Sequence, residues 1–133
     1  MAWCCITVRM DAKIEELLLA SLDDEVVLSL PVPDRIFGFH GQQAIEKLLK
    51  MLILGHRQRH AFIRDVTALR ATIEGLGESL PPTPFKYTEL TEFAGVFRYS
   101  TPREFTSVER DQIRETVRIL REFADARLQA LNA

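Results

Sequence analysis

Apolar residues recur at intervals of three and four along most of this chain, and no stretch alternates apolar with polar in the manner of a strand. From about Asp11 to Leu30 the positions Ile14, Leu17, Leu18, Leu22, Val26 and Leu30 trace an amphipathic helix, with Asp11 placed to cap it. Asp34 opens a second helix running to about Leu54, on which Phe37, Gly41, Ala44, Ile45, Leu48, Met51 and Leu52 form a wide apolar face and Gly55 supplies the stop. A shorter third helix, about Ile63 to Glu74, aligns Val66, Leu69 and Ile73, and a fourth, about Tyr87 to Phe97, aligns Leu90, Ala94 and Phe97. The last begins at Thr106 or Ser107 and runs nearly to the end, with Ile113, Val117, Leu120, Ala124, Leu128 and Leu131 on one stripe and Glu and Arg elsewhere.

The glycines and prolines fall between these segments, at Pro31, Pro33, Gly55, Gly75, Gly77, Pro81, Pro82, Pro84 and Pro102. Helices joined by short connections pack antiparallel, so the pattern predicts an all-α, five-helix up-and-down bundle over residues 11–133, with 1–10 as an N-terminal extension. The second helix also carries Ile36, Phe39, Ile45, Leu49 and Ile53 outside its main stripe. Such a surplus fits a homodimer contact as well as burial on all sides.

A chain of 133 residues holds one domain, and 47% hydrophobic with 27% charged residues is the balance of an ordinary globular protein. The net charge of −2 attracts no polyanion, so any contact with RNA or a nucleotide falls to a local cluster of cations. Cys4 and Cys5 are adjacent, a poor geometry for a mutual disulfide and no spacing for zinc. Free thiols, an opening stretch without a basic start, and no apolar run long enough to span a bilayer predict a cytoplasmic protein without a membrane segment. Neither Cys/His spacing, nor a Gly-rich phosphate loop, nor a carboxylate pair points to a metal or cofactor, and none is expected.

The run Phe39-His40-Gly41-Gln42-Gln43-Ala44-Ile45-Glu46-Lys47-Leu48-Leu49-Lys50 resembles the second-helix signature of the HEPN family, an aromatic followed by Gln-Gln-Ala, Glu-Lys and a further Lys. Arg64-Asp65-Val66-Thr67-Ala68-Leu69 is similar to the family's third-helix start, and Glu89 to Ala94 followed by Arg98-Tyr99 to its fourth-helix segment. Order and spacing hold from about Ala20 to Leu128. The resemblance implies a helical bundle like the substrate-binding domains of nucleotidyltransferases, homodimerisation, and association with a minimal nucleotidyltransferase in a toxin-antitoxin-like system. Ribonucleolytic members use an Arg and a His a few residues apart, without metal. After Arg98 come Tyr99, Ser100, Thr101, Pro102, Arg103 and Glu104, with no His, and Arg64 stands where relatives commonly carry His. Both departures point away from catalysis.

Gln43, Glu46, Lys47 and Lys50 share one polar face of the second helix, where the lysines offer point charges to a phosphate and Gln43 a donor and acceptor to a base edge. An ordinary Glu46–Lys50 pair on a solvated face, or a polar seam between subunits, uses the same residues. Arg98 and Tyr99 suit a phosphate clamp with a stacking ring, or equally the closing of a helix end on which Arg98 meets Asp65. His56, Arg57, Arg59, His60 and Arg64 form a basic loop that can meet a phosphate backbone. Arg35 and His40 reproduce the ribonuclease spacing on another helix, yet five helical steps leave them about 140 degrees apart.

The first reading is therefore a nucleotide- or RNA-binding module without catalysis of its own, with Gln43, Lys47, Lys50, Arg64, Asp65, Arg98 and Tyr99 as its contacts. The alternatives are a metal-independent ribonuclease toxin using Arg35 and His40, and a purely structural dimeric bundle that supports a partner.

Overall fold

A computed structural model describes residues 5–58, 65–94 and 103–132. They form α1 (Cys5–Leu28), α2 (Asp34–Gly55), α3 (Val66–Gly75), a 3₁₀ helix (Tyr87–Phe93) and α4 (Ser107–Asn132), with no strand among the described residues. The all-helical bundle expected from periodicity is the fold the chain adopts.

α2 is the axis. It touches α1, α3, the 3₁₀ helix and α4, which is why it is apolar around most of its circumference. Ile45, Leu49 and Ile53, read as surplus for a subunit contact, are buried inside this one chain, and only Ile36 and Phe39 of that set are exposed. The surplus belongs mainly to the core of the monomer. α1 and α2 form an antiparallel hairpin through residues 29–33, where Pro31 and Pro33 forbid a continuous helix. α4 runs alongside α2 in the same direction, because Arg110 near its start bonds Asp34 at 2.7 Å and Leu128 near its end packs on Gly55.

Three boundaries differ from the periodicity. α1 is already helical at Cys5, the first described residue, and does not wait for Asp11, since residues 5–10 contain no breaker; Asp11 lies within the helix and accepts from Nη1 of Arg57 at 2.9 Å. α3 starts at Val66, with the Asp65 carboxylate accepting from the Thr67 N–H at 2.9 Å as N-cap. The segment from Tyr87 winds as a 3₁₀ helix to Phe93, in keeping with its short length and with two threonines of weak α propensity. Residues 95–97, the rest of that expected helix, lie outside the described residues.

The roll of α1 also differs. Its buried face is Leu17, Ser21, Asp24 and Leu28, whereas Leu22, Val26 and Leu30, read as core, are exposed. A helix apolar on several sides offers more than one stripe at spacings of three and four, and the less apolar of two candidates faces inward here.

Phe105, just before α4, ties the lower bundle together: its ring lies 5.9 Å from Phe37, 6.3 Å from Phe85 and 5.4 Å from Phe93. Gly38 makes this closeness possible. A Cβ at position 38 would stand 2.5 Å from two ring atoms of Phe93. Gly38→Ala, despite the better helix propensity of Ala, is expected to lower stability by about 1–2 kcal/mol, read from chemical denaturation; an unchanged or higher midpoint would show that the ring moves freely.

Candidate functional site

The outer face of α2 carries His40, Gln43, Lys47 and Lys50 at intervals of three and four, all partly exposed. Beneath this row lie two acids that water scarcely reaches. Asp24, from α1, is 4% exposed, and Glu46, from α2 itself, is 5% exposed. Asp24 accepts from Lys47 Nζ at 2.6 Å through one oxygen and meets His40 Nδ1 at 2.7 Å through the other. Lys50 Nζ stands 3.3 Å from Glu46 Oε1, near enough to balance its charge but without the angle of a hydrogen bond, and Gln43 Nε2 donates to Glu46 Oε2 at 3.2 Å. Gln43 Nε2 also bonds Oε1 of the wholly buried Gln42 at 2.7 Å.

The expected polar face is thus a layered one, cations outside and carboxylates inside. A buried carboxylate is tolerated only when paired, and here each has its own lysine. The formal charges cancel, so Lys47 and Lys50 are not free point charges awaiting a phosphate. They do keep spare capacity: an ammonium has three N–H donors, and Lys47 spends one on Asp24. Gln43, Lys47 and Lys50 are brought together as the sequence suggested. Asp65 is not with them; it caps α3. Arg64, Arg98 and Tyr99 lie outside the described residues.

Arg35 is exposed, and no hydrogen bond or ion pair joins it to His40. His40 instead has Asp24 behind it and the exposed Phe39 ring edge-on at 5.2 Å. With Nδ1 occupied by a carboxylate, Nε2 is turned away from the acid, the arrangement that orients an imidazole for proton transfer. Sequence reasoning missed Asp24. The available signal was its place at three and four residues from Ser21 and Leu28, on the stripe with Leu17.

The basic loop after α2 is less open than its composition implied. His56 Nε2 meets Glu78 Oε2 at 2.7 Å, and Arg57 is tied to Asp11 and Asn132. Residues 59–64 lie outside the described residues. Glu78 is a second buried carboxylate gathering a histidine and a cation, for Arg127 of α4 also grips it at 2.7 and 2.9 Å. This latch joins the exit of α3 to the ends of α2 and α4. Among the described residues no group of three or more His, Cys, Asp or Glu is placed to hold a metal ion, and no helix is long and apolar enough to cross a membrane.

The Arg127 hydrogen bonds hold the Glu78 carboxyl below its ordinary 4.5; burial opposes this, and His56 adds to it. A carboxyl that titrates lower in the folded chain stabilises it fully above the unfolded pKa, and that stabilisation fades as pH falls through the lowered value. Glu78→Gln is expected to cost about 2 kcal/mol at pH 7, the low end for a buried pair because Arg127 is 38% exposed. Thermal midpoints of wild type and variant should draw together as pH falls below 4.5 through that lowered value; a gap that does not narrow with acidification would show that the cost does not come from the charge of Glu78.

Comparison with known proteins adds one finding. No curated protein and no solved structure matches this chain. A sequence model described as the HEPN domain does match, over residues 35–130, which takes in α2 with its layered row, α3, the 3₁₀ helix and nearly all of α4. The chain belongs to the HEPN domain family.

Proposed function

We propose that this chain is a nucleotide- or RNA-binding module, homodimeric, that acts beside a minimal nucleotidyltransferase in a toxin-antitoxin-like system and performs no catalysis itself. The observation that carries the reading is the row His40, Gln43, Lys47 and Lys50, held in place from below by Asp24 and Glu46. Binding groups pre-positioned by a buried layer lose little entropy when they take a ligand. Because the row is charge-neutral, it suits a base edge read by Gln43 with a phosphate on the spare lysine donors better than a bare polyphosphate. Family membership supports the nucleotide class of ligand.

The thermal midpoint against a panel of nucleotides and short RNAs at millimolar concentration tests this. A binder of the native state should raise it by about 5 °C at tenfold its Kd. Gln43→Ala should abolish the shift relative to its own unliganded midpoint. Lys47→Ala is a poorer probe, since it strips Asp24 of its cation and destabilises the fold with or without ligand. No shift with any member of the panel would move the assignment to a structural bundle that only supports a partner.

The Asp24–His40 pair favours a second reading, a metal-independent ribonuclease in which His40 acts as general acid or base and the exposed Arg35 stabilises the negative charge on the oxygens of the phosphorane-like transition state. Cleavage of RNA in the presence of EDTA, lost in His40→Ala and slowed in Asp24→Asn, is what it expects. Intact RNA after prolonged incubation would discard it.

A further inference from the structure

The side-chain amide of Gln43 is half spent and half open. Its Nε2 donates inward twice, to Gln42 Oε1 at 2.7 Å and to Glu46 Oε2 at 3.2 Å. Chemistry fixes which end points which way, because a carboxylate only accepts and the nitrogen must be the atom that meets Glu46. Oε1 is the atom left over. It takes no hydrogen bond from a described residue and, unlike Oε1 of Glu46, is not sealed away from water. Gln43 therefore offers a ligand an acceptor and no donor. His40 offers the same: in the neutral imidazole the Asp24 carboxylate takes the Nδ1 proton at 2.7 Å, which leaves Nε2 an acceptor. Beside both stands Phe39, one turn before Gln43 on the same face, 39% exposed and edge-to-face with the His40 ring. An aromatic ring left in water at the end of a polar row is a surface on which a base can stack.

We infer that this row selects a base bearing an amino group, as adenine and cytosine do, with its ring on Phe39 and its exocyclic N–H donating to Gln43 Oε1. This rests on the nucleotide-binding reading above and narrows it to one class of base. The keto counterparts, hypoxanthine and uracil, turn a carbonyl oxygen to the same place. That oxygen would meet Gln43 Oε1 and His40 Nε2 with the Glu46 carboxylate behind them, acceptors facing an acceptor. A ring lying on Phe39 reaches Gln43 before Lys47, which stands one turn beyond with its Nζ held on Asp24 at 2.6 Å. The lysines are thus placed for the phosphate and the acceptors for the base.

Isothermal titration of the full chain at pH 8 with matched pairs tests this, AMP against IMP and CMP against UMP, each also as a homotetranucleotide. The amino member of each pair is expected to bind about tenfold tighter, the worth of one neutral hydrogen bond at a half-buried site. Gln43→Met keeps the length of the side chain without its oxygen and should bring each pair to within about twofold. Phe39→Ala should weaken all members alike by about tenfold. Equal affinities within the wild-type pairs, or tighter binding of IMP and UMP, overturn the inference whether or not a variant folds, and leave the nucleotide-binding reading standing. An undiminished preference in Gln43→Met, or unchanged affinities in Phe39→Ala, overturns the placement of the base. Binding of no member at all overturns the nucleotide-binding reading, and the inference with it.

Discussion

The carboxylate of Asp24 sets the roll of α1 on α2, and much of the surface follows from that roll. An ionised group taken out of water demands compensation, and Asp24 receives it twice, from Lys47 and from His40. Turning α1 to bury Leu22 and Val26 instead would withdraw the acid from a half-buried lysine and histidine and put Leu17 and Leu28 into water. The observed roll keeps the charges matched and leaves the better apolar stripe outside.

The same constraint recurs at the other end of the bundle. Glu78 collects Arg127 and His56 as Asp24 collects Lys47 and His40, so the middle of α2 and its C-terminal end are each held by an acid contributed from another part of the chain. Between these two points the packing is apolar and centred on α2, with the Phe105 ring joining α2, the 3₁₀ helix and the loop before α4. Thr116 extends this to the proline-rich loop, its hydroxyl accepting from the Phe85 N–H at 3.2 Å. Polar groups in this core are few, and those described above are spent on fixing one element against another.

For ligand binding, the layering of the α2 row has a direct electrostatic consequence. Lysines that already face carboxylates attract a free phosphate weakly, yet they are held in one place and keep unused donors. Recognition of this type selects by shape and hydrogen-bond pattern more than by charge, in keeping with the slightly acidic whole.

The sequence alone determined the elements that one repeat length suffices to define. The extent of α2, the long stripe of α4 and the Pro- and Gly-marked breaks are local properties, and so is the run from Phe39 to Lys50 that carries the family resemblance. It also placed Gln43, Lys47 and Lys50 together, because residues three and four apart on a helix share a face wherever that helix goes. What periodicity could not decide is which of two stripes on α1 faces inward, since both have helical spacing and the choice rests on His40 and Lys47, sixteen and twenty-three residues further along. Nor could it tell that Ile45, Leu49 and Ile53 serve the core, for a helix surrounded by four neighbours and a helix shared between two subunits look alike in one dimension. Asp24 and Glu78 as anchoring acids, and the apolar stripe left open on α1, exist only once distant side chains meet, and that meeting belongs to the tertiary structure.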